Sequence, residues 1–235
     1  MRETLTIIPT YNERENIERL VETVLAQDAR LDVLVIDDGS PDGTGEIADD
    51  LARRSRRVRV IHREGKLGLG TAIVRGLTFA REQGYEGAIV MDADFSHDPG
   101  YIGAFLERAE EYDLVIGSRY VPGGGVENWG VVRRLVSRLT NVASRLLLRI
   151  PAKDVTGAFR CYRVGRLGEL RLETVVSRGF SIQEELAMRC ARARWRMTEV
   201  PIVFVDRKRG ESKVSMGEIA RSLATLLALA FRRGR

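Results

Sequence analysis

The sequence predicts an α/β protein: a mostly parallel sheet with helices on both faces, followed by amphipathic helices towards the C-terminal end. Two observations carry that prediction. The first is a set of short runs, Val33 to Ile36, Ala88 to Met91 and Leu114 to Ile116, with no polar residue inside them. Strands of that kind are buried on both faces, as in a parallel sheet covered above and below by helices. The second is that, between such runs, apolar residues recur every three or four positions, the period of a helix with one buried face.

The elements follow in order. Leu5 to Ile8 is a short apolar strand, and Ile17, Leu20, Val21, Val24 and Leu25 then mark a helix. Val33 to Ile36 is a second strand, closed by the turn cluster Gly39-Ser40-Pro41-Asp42-Gly43. Ile47, Ala48 and Leu51 mark a helix, Val58 to Ile61 a third strand and Leu69 to Ala80 another helix. Ala88 to Met91 and Leu114 to Ile116 are the fourth and fifth strands, with a helix around Tyr101 to Ala109 between them. Val131 to Leu148 reads as an amphipathic helix. Its apolar face is Val132, Leu135, Val136, Leu139, Val142, Ala143, Leu146 and Leu147, with arginines around the rest. Ile182 to Ala193 reads as a helix, Thr198 to Val205 as a strand and Met216 to Phe231 as a terminal helix. Repeats, low-complexity tracts and linkers are absent from the sequence. The expected organisation is a catalytic domain over 1–215 and a basic amphipathic helix over 216–235.

Charge narrows the partners. The 235 residues carry 38 Lys and Arg against 33 Asp and Glu, a net +5. Arginines crowd the second half, which ends Arg232-Arg233-Gly234-Arg235 and calls for an anionic partner. Nucleic acid is disfavoured, because the basic residues lie on apolar-faced helices and aromatics make up only 6%. Cys161 and Cys190 are too few for a metal cage or a disulfide framework and fit a reducing cytosol. The N-terminal residues read as a strand rather than a signal peptide. The longest apolar stretch, Ile219 to Phe231, is interrupted by Arg221 and is shorter than the ~18–20 residues of a spanning helix. A membrane role would therefore be peripheral, on the cytoplasmic face.

Three strand ends carry acidic or polar motifs: Pro9-Thr10-Tyr11-Asn12-Glu13, Asp37-Asp38-Gly39-Ser40 and Asp92-Ala93-Asp94. Open α/β sheets bind ligands at that edge. Asp92 and Asp94, separated by a small alanine, are hard oxygen donors suited to Mg²⁺ or Mn²⁺ shared with phosphate oxygens. Glu13 and Asp38 can accept hydrogen bonds from a base or ribose, and Tyr11 offers a stacking face. Asn12 and Asp37 can also simply cap the turn they stand in. Gly68-Leu69-Gly70 lacks the spacing of a dinucleotide fingerprint and reads as a turn with close helix packing. His62 and His97 read as structural or solvent-facing.

With Gly117-Ser118-Arg119-Tyr120, these motifs resemble the family-2 glycosyltransferases of the GT-A, Rossmann-like fold. Within that family the chain is most similar to dolichol- or polyprenol-phosphate mannose synthases. The closer likeness rests on Asn128-Trp129 with Arg133 and Ser137, on Thr156 to Arg160, and on Phe204 to Lys213. The resemblance implies GDP-mannose as donor, a polyprenyl phosphate as acceptor and a divalent metal. It implies that Pro9, Tyr11, Glu13, Ile36 and Asp38 hold the nucleoside, and that Asp92, Ala93 and Asp94 surround the metal and diphosphate. Arg119, Arg133 and Ser137 would take the acceptor phosphate; Asp94, Arg119, Arg207 and Lys213 would serve the transfer itself. One departure is Ser96, where the family often has a glutamine that helps ligate metal. Some relatives carry spanning helices after the catalytic domain, so a separate membrane-anchoring protein is left open as a partner.

A phosphate monoester, with a second pKa near ~6, is already largely dianionic at neutral pH and needs no general base. It needs alignment with the anomeric carbon against repulsion from the donor diphosphate, which cations supply. The expected reaction is one direct displacement with inversion. A related transferase using UDP-glucose or another nucleotide-sugar is the alternative. Val131 to Arg149 fits either an interfacial helix or ordinary packing on the domain; Ile219 to Arg235 has the stronger membrane case.

Overall fold

The computed structural model describes residues 3–206 and Leu229. Arg207, Lys213 and the helix expected over 216–231, Leu229 excepted, lie outside the described residues.

Nine strands and six α-helices are present in that range. They run β1 (Thr4–Thr10), α1 (Ile17–Gln27), β2 (Leu31–Asp37), α2 (Thr44–Arg54), β3 (Val58–His62), α3 (Leu69–Glu82) and β4 (Gly87–Val90). Then come α4 (Ile102–Ala109), β5 (Leu114–Ser118), β6 (Gly125–Glu127), α5 (Val131–Leu148), β7 (Arg160–Arg163), α6 (Ile182–Arg192), β8 (Met197–Pro201) and β9 (Val203–Val205). Seven strands form one sheet in the order β3-β2-β1-β4-β7-β5-β8, and β6 pairs with β9 in a small second sheet. All pairings are parallel except those of β7, which runs antiparallel to β4 and β5. The C-terminal ends of the other six strands therefore share one edge, joined there by the segment that enters β7.

The pleat explains the two cores. On β1, Leu5 and Ile7 face one side and Ile8 the other; on β2, Leu34 and Ile36 oppose Val33 and Val35. The first side is covered by α3 and α6, through Ala72, Ile73, Leu77, Ile182 and Leu186. The second is covered by α1, α2 and α4, through Leu20, Val24, Ala48, Ile102 and Phe105. Gly76 lets α3 sit directly on the sheet, since a Cβ there would lie 2.5 Å from Ile7 Cγ2.

The structure departs from the sequence reading in its strands. Strands β6 and β7 were not expected. The strand read over Thr198 to Val205 is two strands, because Ile202 leaves the β8 line to bury itself at 2% exposure and the chain re-pairs with β6. Helix α5, for which an interfacial position and packing on the domain were both open, does not pack its apolar face on the domain. Its buried residues are Asn141, Ser144 and Leu148, while Val132, Leu135, Val136, Leu139, Val142, Leu146 and Leu147 are exposed.

Candidate active site

The loops after β1 and β2 are built around buried carboxylates. Thr10 and Asp37 form the last rung of the β1–β2 ladder, and the Thr10 hydroxyl donates to Asp37 Oδ1 at 2.9 Å. The Ser40 N–H and hydroxyl donate to the same carboxylate at 3.0 and 2.5 Å, so Asp37 serves the turn. The backbone N–H of Glu13 donates to Thr44 Oγ1 at 2.9 Å, and Asn16 Nδ2 donates to Glu13 Oε2 at 3.0 Å. The first bond ties the Tyr11–Glu13 loop to the start of α2, and the second ties it to the start of α1.

Asp38 meets a partner the sequence reading missed. Arg63, just after β3, donates Nε and Nη2 to its two oxygens at 2.5 and 2.7 Å, and both side chains are 8% exposed. Arg63 also donates to Thr71 Oγ1 and the Gly68 carbonyl. The glycine turn before α3 is thus pinned to Asp38. Lys66 Nζ stands 4.6 Å from the centroid of the Tyr11 ring. Pro9 is half-buried, whereas the Ile36 side chain is fully buried in the α3-side core.

Asp92 and Asp94 follow β4 on a tight loop with Ala93 buried between them. The loop is held by two bonds. The Asp92 N–H donates to His97 Nδ1 at 3.1 Å, and the Ser96 N–H donates to Asp94 Oδ1 at 3.0 Å. His97 is 2% exposed, stacked on Phe159 and edge-on to Phe204, and burial pushes its pKa down. A neutral ring that accepts at Nδ1 carries its proton on Nε2. The residue read as solvent-facing or structural is therefore a buried support for the acidic loop. Phe95 takes a left-handed φ of 59°, unusual for an aromatic residue and an indication of local strain at this loop.

The third group follows β5. Arg119 donates Nε and Nη2 to Asp154 at 2.7 Å each, its own N–H to Asp154 at 2.9 Å, and Nη2 to Thr156 Oγ1 at 2.7 Å. Burial opposes both charges, but the pairing outweighs it, holding Arg119 above and Asp154 below their ordinary pKa values. The Arg119 guanidinium carbon lies 5.4, 5.6 and 5.7 Å from the ring centroids of Tyr120, Trp129 and Phe204. The Arg133 guanidinium carbon lies 4.3 Å from the Trp129 ring centroid, and Arg133 pairs with Asp206. The Tyr120 hydroxyl donates to Ser137 Oγ at 2.7 Å.

The acidic and cationic groups are neighbours. His97 has Asp92, Asp94, Arg119 and Asp154 all among the charged groups that act on it. The Phe204 ring touches His97 at 5.5 Å, Trp129 at 5.6 Å and Arg119. Arg119 and Arg133 lie against the same Trp129 ring, and Tyr120 next to Arg119 bonds Ser137; Arg207 and Lys213 fall outside the described residues. Asp154, Arg63, Lys66 and Phe204 were missed as site residues. Phe204 stood in a recognised motif, but nothing local marks Asp154 as the partner of a residue 35 positions away.

These features match known proteins. The family model for glycosyl transferase family 2 matches residues 6–171. The chain belongs to that family, and it is a glycosyltransferase. Its relatives are specific. It is 41% identical over 222 residues to the undecaprenyl-phosphate mannosyltransferase of Micrococcus luteus, covering 94% of this chain and 91% of that one. It is 42% identical over 222 residues to the polyprenol monophosphomannose synthase of Mycolicibacterium smegmatis, covering 94% and 84%. Among solved structures, the fold matches glucosyl-3-phosphoglycerate synthase of Mycobacterium tuberculosis in complex with Mn²⁺, UDP and phosphoglyceric acid. That match has a TM-score of 0.71 and 19% identity, covering 99% of this chain and 80% of the other.

Proposed function

We propose that the protein transfers mannose from GDP-mannose to a polyprenyl monophosphate, with inversion at the anomeric carbon. The observation that carries this is the meeting, on one sheet edge, of the Asp92–Asp94 loop with the Arg119–Trp129–Arg133 cluster around Phe204. The names of the two relatives, an undecaprenyl-phosphate mannosyltransferase and a polyprenol monophosphomannose synthase, support the mannosyl and polyprenyl assignments.

The residues fit a divalent cation. No group of three or more His, Cys, Asp or Glu side chains capable of holding a metal occurs among the described residues. Mg²⁺ and Mn²⁺ in nucleotide sites are characteristically held by one or two carboxylates, with phosphates and water completing the shell. Asp92 and Asp94 would hold it. The Ser96 hydroxyl, buried and without a hydrogen-bond partner, adds an oxygen at the family's glutamine position. When bound, the cation neutralises charge on the departing diphosphate.

This chain's own residues do the rest. Glu13, Asp38 with Arg63, and the Tyr11 ring beside Lys66 bind the nucleoside and orient it. Arg119, fixed by Asp154, and Arg133, stacked on Trp129, hold the acceptor phosphate, with Ser137 as a further donor. Arg207 and Lys213 add charge to the same phosphates. No residue need remove a proton from a phosphate dianion.

The lipid acceptor requires a bilayer, and α5 supplies a contact. No described helix is long and apolar enough to cross a membrane. Eight of the exposed large hydrophobic residues lie on α5, interleaved with the exposed Arg134, Arg138, Arg145 and Arg149. A helix with apolar residues outward and arginines beside them lies in a lipid–water interface. We assign 1–215 to catalysis, 216–235 to a second interfacial helix, and the enzyme to the cytoplasmic face.

A donor panel of GDP-mannose, UDP-glucose and GDP-glucose, offered with short-chain polyprenyl phosphate, tests this. GDP-mannose is turned over best and the product is the β-anomer; preference for UDP-glucose, or a retained configuration, contradicts it.

A further inference from the structure

The first turn of α6 holds two buried polar side chains that the account above does not use. Gln183 is 2% and Glu184 5% exposed. Neither Gln183 Nε2 nor Gln183 Oε1 has a hydrogen-bond partner, and neither does Glu184 Oε2. Their neighbour Glu185 shows what a structural residue looks like here. It accepts from the N–H groups of Val176 and Ser177 and from Arg189. Buried polar atoms are almost always paired, so adjacent unpaired ones need a reason.

Their position supplies one. Arg160, at the start of β7 and fully buried, donates to the carbonyls of Val155, Gly157 and Gln183 at 2.7, 2.9 and 2.6 Å. It therefore clamps the first turn of α6 onto the loop that carries Asp154 and Thr156, the partners of Arg119. Arg160, Asp154 and Arg119 are among the charged groups that act on Glu184. Arg119 in turn has Asp92 among its charged neighbours. The first turn of α6 is thus tied through Arg160 to the loop whose Asp154 and Thr156 hold Arg119, next to the acceptor cluster.

We propose that Gln183 and Glu184 bind hydroxyls of the donor's sugar ring, making the first turn of α6 the sugar-specificity determinant. This rests on the glycosyl-transfer reading of the same edge. A sugar hydroxyl both donates and accepts, and so does a glutamine amide. Burial pushes the Glu184 carboxyl up to about 7, so at neutral pH it is partly protonated and able to do the same. A neutral acid also spares the site an extra negative charge near the diphosphate.

The test compares a nucleotide with its sugar-bearing form on the full chain. Calorimetric Kd values for GDP and GDP-mannose, and for UDP and UDP-glucose, are measured for wild type, Gln183→Ala, Glu184→Ala and Glu184→Gln. Thermal midpoints verify folding. The expected result is that both alanine variants lose about tenfold or more in kcat/KM and in affinity for the sugar nucleotide the wild type turns over. Affinity for the bare nucleotide stays within about twofold, and Glu184→Gln, which keeps hydrogen-bonding capacity, recovers most of the loss. Equal weakening of nucleotide and sugar nucleotide, or no change in either, overturns the proposal. Wild-type preference for UDP-glucose would instead fail the mannose assignment, and the inference would then be decided on the UDP pair. A wild type that binds none of the four fails both.

Discussion

The loops after β1, β2 and β4 and the cluster after β5 are assembled by different means. In the first group short bonds stand beside long ones. Ser40 to Asp37, Thr44 to Asp42 and Ser96 to Asp94 span 3, 2 and 2 positions, and Thr10 to Asp37 and Arg63 to Asp38 span 27 and 25; the Asp92–Asp94 loop itself carries the short kind. In the second they are long: Arg119 to Asp154, Tyr120 to Ser137 and Arg133 to Asp206 span 35, 17 and 73. Short-range bonds form wherever the turn forms. Long-range ones exist only when β7, α5 and β9 have docked. The metal loop should therefore tolerate changes elsewhere in the fold, and the acceptor cluster should not.

The sharpest way to break that contrast is Asp94→Ala. Because the loop keeps its His97 contact, the variant should fold with an unchanged thermal midpoint yet lose on the order of 10³-fold in kcat, the effect of removing one strong electrostatic stabiliser. Near-normal turnover would remove the metal assignment. Asp154→Asn should behave in the opposite manner. It leaves Arg119 buried without its countercharge, so a stability loss of about 3–5 kcal/mol by chemical denaturation accompanies the loss of activity. The pH dependence has a definite sign. Asp154 is held below its ordinary 3.8, so its stabilisation is present above that pH and is lost as pH falls through the folded value; the variant should lack that acid limb.

Glu184 gives the reverse sign and a smaller effect. Its carboxyl rises from 4.5 to about 7 on folding, so the native state binds the extra proton between those values. Stability should fall as pH rises through that window, by on the order of 3 kcal/mol, and Glu184→Gln should flatten the curve. A flat wild-type profile would show that Glu184 is not desolvated. Leu135→Glu with Leu139→Glu, on the exposed face of α5, should leave stability within ~0.5 kcal/mol, as surface changes do. It should also weaken binding to anionic vesicles by about tenfold or more. Unaltered vesicle binding would move the membrane contact elsewhere.

The same contrast explains what the sequence disclosed. Val33 to Ile36 and Ala88 to Met91 were legible as strands because their burial is written in uninterrupted apolar residues. The motifs at their ends were legible because ligand loops follow strand ends. Strand β7 was not legible, since Arg160-Cys161-Tyr162-Arg163 reads as polar. Its buried arginine is tolerated because three carbonyls receive it, two from the loop just before β7 and one from the first turn of α6. The Arg119–Asp154 pair and the Asp38–Arg63 pair were hidden for the same reason, each being a tertiary match with no local signature. Amphipathicity identified α5 as a helix, but a hydrophobic stripe does not say which way it faces. Asn141 decides that, by bonding Val155, Thr156 and the Ser137 carbonyl and so turning the polar side inward.

The most direct measurement follows label from donor to lipid. Purified protein is incubated with GDP-[¹⁴C]mannose, Mg²⁺ or Mn²⁺ and polyprenyl phosphate, and the organic phase is counted. The account predicts a mild-acid-labile, lipid-extractable mannosyl product that requires the cation. Label that stays in the aqueous phase with every cation, or a lipid product formed equally well in excess chelator, would contradict it.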